Sequence, residues 1–252
     1  MNLRQIGWPL SCLGRRCILI VLLLASALPL ASRAETIALI GTGEVSQAFG
    51  PRLAKLGHRV IYGSRAPERP EIRDLLRATG DTASAELPNV AAALADIVMI
   101  AVPWNVAEEV VVGLGDLSGK IIIDPVNPRI IADDGFRDYP MYTSNAERIQ
   151  NIAPRAFVVK AFNTISTDSM LDPDLFGEPL TIPIVGNDAA AKHTVANLIR
   201  ALGYDAVDVG PVRYAHIVEG LYLLRSNARD QLGTHFEYTF RRRAVAAPQT
   251  IR

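Results

Sequence analysis

From Thr36 onward the chain alternates between two patterns. Short runs of consecutive apolar residues, "TIALI" (36–40), "RVIYG" (59–63), "DIVMIAVP" (96–103), "KIIIDP" (120–125) and "AFVVKAF" (156–162), read as strands buried on both faces. Between them, apolar residues three and four apart predict amphipathic helices over 44–57, 69–80, 89–95, 105–117 and 144–154. In the first, Val45, Ala48, Phe49, Leu53 and Leu56 share a face and Gly57 is the stop; Pro51 removes a hydrogen bond and is expected to kink the helix. Ser144 is placed to cap the last. A weaker strand is predicted at 82–86. Beyond a loop rich in Pro and Asp (168–181) come a strand (182–186), a helix (188–203), a strand (205–210) and a helix (214–229).

Strands alternating with helices over short loops imply parallel pairing with helices on both faces. The expected fold class is α/β: a Rossmann-type doubly wound parallel sheet with a small C-terminal α/β extension. The expected division is a leader (1–34), a Rossmann domain (35–165), a small C-terminal domain (166–240) and a basic, solvated tail (241–252).

Charge adds one exclusion. The 26 Lys and Arg balance 26 Asp and Glu, which argues against a dedicated nucleic-acid binder. The front of the chain reads as an export signal. Arg4, Arg15 and Arg16 form a basic region, "CILIVLLLASALPL" (17–30) an apolar one, and "SRA" (32–34) a cleavage site after Ala34. The apolar run is shorter than the roughly 20 residues of a spanning helix, and Pro29 interrupts it. "GRRCILI" also resembles a twin-arginine leader, a route that carries folded, cofactor-loaded proteins. The expected location is therefore exported and periplasmic. An uncleaved leader would give the only membrane contact, and a misplaced start codon would make the protein cytoplasmic. Both cysteines, Cys12 and Cys17, fall in the leader, so the remainder holds no disulfide, thiol nucleophile or Cys–metal site. The four histidines (His58, His193, His216, His235) show no metal spacing, and no metal is expected; His58 reads as a surface residue.

The candidate chemistry lies at the strand ends. "GTGEVS" (41–46) follows a strand and opens a helix, the context that makes a glycine motif specific for a dinucleotide. Gly41 permits the tight turn, Gly43 lets a pyrophosphate approach, and the amides of Glu44 and Val45 face it at the helix N-terminus. Ser46 replaces the third glycine, and Glu44 is mildly unfavourable unless it turns to solvent. At the end of the second strand, where an acid would hold ribose hydroxyls, stand Ser64 and Arg65, with Arg69 nearby. A planar fork of donors and a hydroxyl suit a 2′-phosphate, so the expected cofactor is NADP rather than NAD. Trp104 is placed to flank the cofactor or to be a partly buried aromatic. Asn127 could bond the nicotinamide half, and Lys160, Asn163 and Thr164 are expected to converge on the same crevice. His216, on the last helix, is a candidate for touching substrate. No catalytic acid or base stands out.

"IALIGTGEVSQAFG", "YGSR", "IVMIAVPW", "GKIIIDPVNP", "VVKAFNT", "VGNDAAAKHTVANLIRALGYDAVDVGP" and "VEGLYLL", in that order, resemble the NADP-dependent oxidoreductase family of the deazaflavin (coenzyme F-420) reductases and the related cytosolic domains of membrane ferric reductases. The resemblance implies NADP held by Thr42, Gly43, Glu44, Val45, Ser64, Arg65, Arg69, Trp104, Asn127 and Ala161. It also implies hydride transfer between NADP(H) and a flavin-type, deazaflavin or ferric acceptor, a small molecule in each case. The leader departs from the cytoplasmic members. An imine or ketone reductase of the pyrroline-carboxylate type and a non-catalytic NADP-binding module remain alternatives, and a homodimer is compatible with either enzyme reading.

Overall fold

The structure, a computed structural model, describes residues 34–243. The expected leader, apart from Ala34, and the tail beyond Arg243 lie outside the described residues. Eight strands form one sheet: β1 (Thr36–Ile40), β2 (Arg59–Gly63), β3 (Ala83–Glu86), β4 (Ile97–Ile100), β5 (Ile121–Asp124), β8 (Phe157–Lys160), β9 (Thr181–Gly186) and β10 (Asp205–Gly210), in the order β10-β9-β8-β5-β4-β1-β2-β3. The helices are α1 (Glu44–Lys55), α2 (Pro70–Thr79), α3 (Pro88–Leu94), α4 (Ala107–Gly113), α5 (Asn145–Ile152), α6 (Thr167–Leu171), α7 (Ala189–Ala201) and α8 (Ala215–Leu232).

The apolar runs are continuous because the sheet is covered on both faces. Along β1, Ile37 and Leu39 enter one core with Phe49, Leu53, Tyr62 and Met99, while Ala38 and Ile40 enter a second with Ile61, Val98, Ile100 and Ile122. α1 packs tightly on the sheet at Gly50, where a Cβ would lie 1.8 Å from the Tyr62 hydroxyl. That hydroxyl bonds Thr79 at 2.6 Å and ties β2 to the end of α2. α1 runs through Pro51 to Lys55, close to the expected stop at Gly57.

The pairing departs from the expected parallel rule at one place. β9 runs antiparallel to β8, through Val159↔Gly186 and Lys160↔Val185. An antiparallel strand can start at the edge where its neighbour ends, so no crossover helix is needed. The connection instead holds the short α6, which the Pro- and Asp-rich composition hid. The residues after 165 thus continue the same sheet, and the chain from Glu35 onward clusters as one compact unit. Two further elements escaped the sequence pattern: the two-residue strands β6 (Ile130–Ile131) and β7 (Arg137–Asp138), which form a small hairpin. At the start of the expected solvated tail, Arg242 pairs with Asp205 on β10 at 2.5 Å, because the edge strand offers a carboxylate there.

Candidate active site

The parallel strands end on one edge, and their loops build a cleft there of about 710 Å³. Gly41 opens it with φ +106°, and a Cβ there would meet the Ala101 carbonyl oxygen at 2.3 Å, so no other residue fits. Its amide donates to Gly63 O at 2.9 Å, which fastens the end of β2, and hence Ser64 and Arg65, beside the glycine turn. Gly43 is the N-cap of α1. No side chain caps that helix, and a Cβ on Gly43 would meet nothing within 4 Å. The first-turn amides of α1 therefore face open space where a helix N-terminus favours an anion. By contrast, α5 and α7 close their N-termini with the Ser144 capping box and the Asp188 side chain.

Ser46, at the third glycine position, is fully buried and donates its hydroxyl to Gly41 O at 2.8 Å. It braces the turn as well as fitting it. The Thr42 carbonyl accepts from Gln47 Nε2 at 3.0 Å. Glu44 is exposed and accepts a 3.3 Å bond from the Thr167 hydroxyl. That contact turns the carboxylate toward α6 and eases the conflict with a phosphate.

At the end of β2, the Ser64 amide donates to Glu86 O at 2.9 Å and its hydroxyl accepts from Ala66 N at 3.2 Å. Arg65 is exposed and makes no ion pair or hydrogen bond among the described residues. Arg69 pairs with Glu71 at 3.3 Å, but both side chains are more than half exposed, so the pair holds little energy and releases easily.

Trp104, in the short 3₁₀ turn Trp104–Val106 after β4, and Asn127, after β5, both line the cleft. Asn127 is oriented by Asn163. Its Nδ2 donates to Asn163 O at 2.9 Å, and its Oδ1 accepts from Asn163 Nδ2 at 3.2 Å. With its oxygen engaged, Asn127 keeps one amide hydrogen for a ligand acceptor.

Several expected residues lie elsewhere. Ala161, Asn163 and Thr164 are buried and do not line the cleft. The turn that holds them puts Phe162 at φ +64° and sends its ring into the core, 4.7 Å from Phe49. This pulls the following residues inward; Asn163 reaches the cleft only through Asn127. His216 is exposed, with Nδ1 2.9 Å from Arg213 O, and is absent from the cleft lining. The outward face of α8 at that position carries it away. His58 is buried rather than on the surface, because its Nδ1 accepts the Glu35 amide at 3.1 Å; burial lowers its pKa.

Lys160 is also overturned as a crevice residue. It is fully buried beneath the loop 125–127, 3.1 Å from Asp124 and 2.6 Å from Glu219, and it donates to Val126 O. Asn145 adds a 3.1 Å bond to Asp124 from its side chain and another of 3.1 Å to Glu219 from its amide. Tyr139 has one hydroxyl proton but faces two acceptors, Thr143 O at 3.0 Å and Glu219 Oε2. A proton on Glu219 Oε2 gives both lines a hydrogen and leaves Lys160 and Asp124 as the balanced pair. Burial raises the Glu219 pKa in the same direction, with Lys160 opposing it. The sequence signal was present: a lysine closing an apolar strand beside another that ends in aspartate. Glu219, far along the chain on α8, carried none. A second cavity, of about 630 Å³ beside Leu117, Pro154 and Ala156, lies at the opposite edge of the sheet and holds none of these groups.

Residues 36–128 match the family profile of coenzyme F420-dependent NADP oxidoreductases. A crystal structure from Arthrobacter sp. FB24, assigned by inference as an F420-dependent NADP-reductase, is 32% identical, with a TM-score of 0.75 over 82% of this chain and 100% of that one. The rat (Rattus norvegicus) Metalloreductase STEAP3 is 29% identical over 192 residues, 75% of this chain; the match spans only 37% of that protein. A reductive aminase from Aspergillus terreus, solved in complex with NADPH and ethyl-5-oxohexanoate, shares the fold at 18% identity, with a TM-score of 0.57 over 79% of this chain and 63% of that one.

Proposed function

The chain belongs to the coenzyme F420-dependent NADP oxidoreductase family, and on that premise we propose that it transfers hydride between NADP(H) and a flavin-type or deazaflavin ring, from which the two electrons can pass singly to two ferric ions. The observation that carries this reading is the pairing of an open, uncapped helix N-terminus at Gly43 with an unpartnered arginine, Arg65. The first is a cradle for a pyrophosphate; the second suits a 2′-phosphate beside it. In this reading Gly43 and the amides of Glu44 and Val45 hold the pyrophosphate. Ser64, Arg65 and Arg69 hold the 2′-phosphate, while Trp104 and Asn127 border the nicotinamide end. The cofactor supplies the hydride chemistry.

The protein's part is positioning. The cleft lining contains no Asp, His, Lys or Tyr, and its only carboxylate, Glu44, is engaged by Thr167. That supports transfer between two ring systems, which needs alignment but no acid–base pair. It weighs against imine reduction, which needs a proton delivered with the hydride. NADPH oxidation at 340 nm, followed with FMN, ferric citrate and a cyclic imine, is the test. Turnover is expected with FMN, and with ferric citrate when FMN is present to pass electrons on singly. Turnover with the imine alone, or tight NADPH binding without any turnover, would overturn the reading.

A further inference from the structure

We infer that Arg129 selects the hydride acceptor, and that this acceptor is a planar aromatic molecule bearing an anionic group. The inference rests on the hydride-transfer reading for what the molecule does, but the binding site stands on its own geometry.

Arg129 lines the cleft next to Asn127 and is exposed, with no ion pair or hydrogen bond among the described residues. Its guanidinium lies over the ring of Tyr222, 5.7 Å from the centroid, and Arg225 sits 5.8 Å from the same centroid. Arg137 is a third arginine acting on Tyr222. The other arginines beside this ring have carboxylates of their own. Asp230 holds Arg137 and, at 2.9 Å, Arg229. Glu237 lies 3.6 Å from Arg225. Arg129 is left as the cation without an anion, steadied by an aromatic face that spends none of its N–H donors. A guanidinium fixed in that way binds a phosphate or carboxylate with little loss of side-chain freedom.

The rest of the cleft says what carries the anion. Beside Arg129 the lining is apolar, with Val45, Trp104, Val126, Ile130 and Ile131, and suits a flat ring. The Gly43 end of the same cleft is taken by the cofactor's pyrophosphate in the proposed reading, so Arg129 is the cation of the lining left for the acceptor's anion. Ring against the apolar wall and anion on Arg129 is the arrangement these charges favour.

FMN and riboflavin share one ring and differ by a phosphate, so they isolate this contact. Both are titrated, by flavin fluorescence, into the protein saturated with NADP⁺, which has no hydride to give. A charge-assisted bond predicts that FMN binds about tenfold to a hundredfold more tightly than riboflavin at low salt. Arg129→Ala should collapse that ratio to about one, and Arg129→Lys should keep part of it. No FMN preference in the parent protein, or a ratio unchanged in Arg129→Ala, overturns the assignment. So does an equal loss of NADPH affinity in Arg129→Ala, since the arginine would then belong to the cofactor. If FMN binds through Arg129 yet NADPH does not reduce it, the anion site stands and the hydride-transfer reading falls.

Discussion

Two pairs of cations are treated in opposite ways. Lys160 and Arg225 are sealed in the interior, each beside a carboxylate: Lys160 between Asp124 and Glu219, Arg225 by Glu237. Arg65 and Arg129 stand at the surface and pair with no carboxylate among the described residues. The difference is one of solvent. A buried charge without a partner would cost several kcal/mol, so the fold must supply one. An exposed arginine keeps its water, and leaving it bare costs nothing until a ligand arrives. For these four cations, pairing goes with burial and its absence with exposure at the candidate site; Arg69, loosely paired with Glu71 at the surface, stands between the two.

The sharpest way to break this comparison is Lys160→Met. It leaves Asp124 buried without its cation and should cost about 3–5 kcal/mol in denaturant unfolding. A loss below about 1 kcal/mol would mean the buried cation is not a structural element. The next effect in size falls on binding. Arg65→Ala should weaken NADPH by about tenfold to a hundredfold, the worth of one charge-assisted bond, and leave NADH nearly unchanged. Its unfolding free energy should stay within about 0.5 kcal/mol, as for surface substitutions generally. Equal losses for both nucleotides would place Arg65 outside the 2′-phosphate site.

The smallest effect sharpens the interior. The Glu219 pKa is raised in the folded protein, so the stability it contributes is full below the ordinary glutamate value of 4.5 and is lost as pH rises through the folded pKa. Glu219→Gln mimics the protonated side chain at every pH. Thermal unfolding of the two proteins should therefore agree near pH 4, with the variant gaining on the parent as pH rises. Parallel profiles would place the proton elsewhere in the network.

Much of this was legible in the chain. The apolar runs marked the strands because burial on both faces leaves no room for polar residues there, and Ser144 announced the start of α5. The glycine turn was legible for a local reason: Gly41 occupies a backbone conformation that other residues resist. Arg65 stood out by what it replaced. The small hairpin 130–138 and α6 were missed because each is too short to show a period, and their stability comes from packing. Asn163 and Thr164 were misplaced for a related reason. Their position at a strand end was right, but the turn at Phe162 decides which way they face, and that turn is fixed by Phe49 on another helix.

The sequence by itself determined the layered sheet, the glycine cradle and the choice of a cation over an acid at the second strand, because each depends on residues close together in the chain. Only the tertiary structure decided which cations are free. Whether an arginine or lysine finds a carboxylate depends on partners such as Glu219 and Asp230, brought in from the last helix. Desolvation, which makes that partnership compulsory or unnecessary, is a property of the packed molecule.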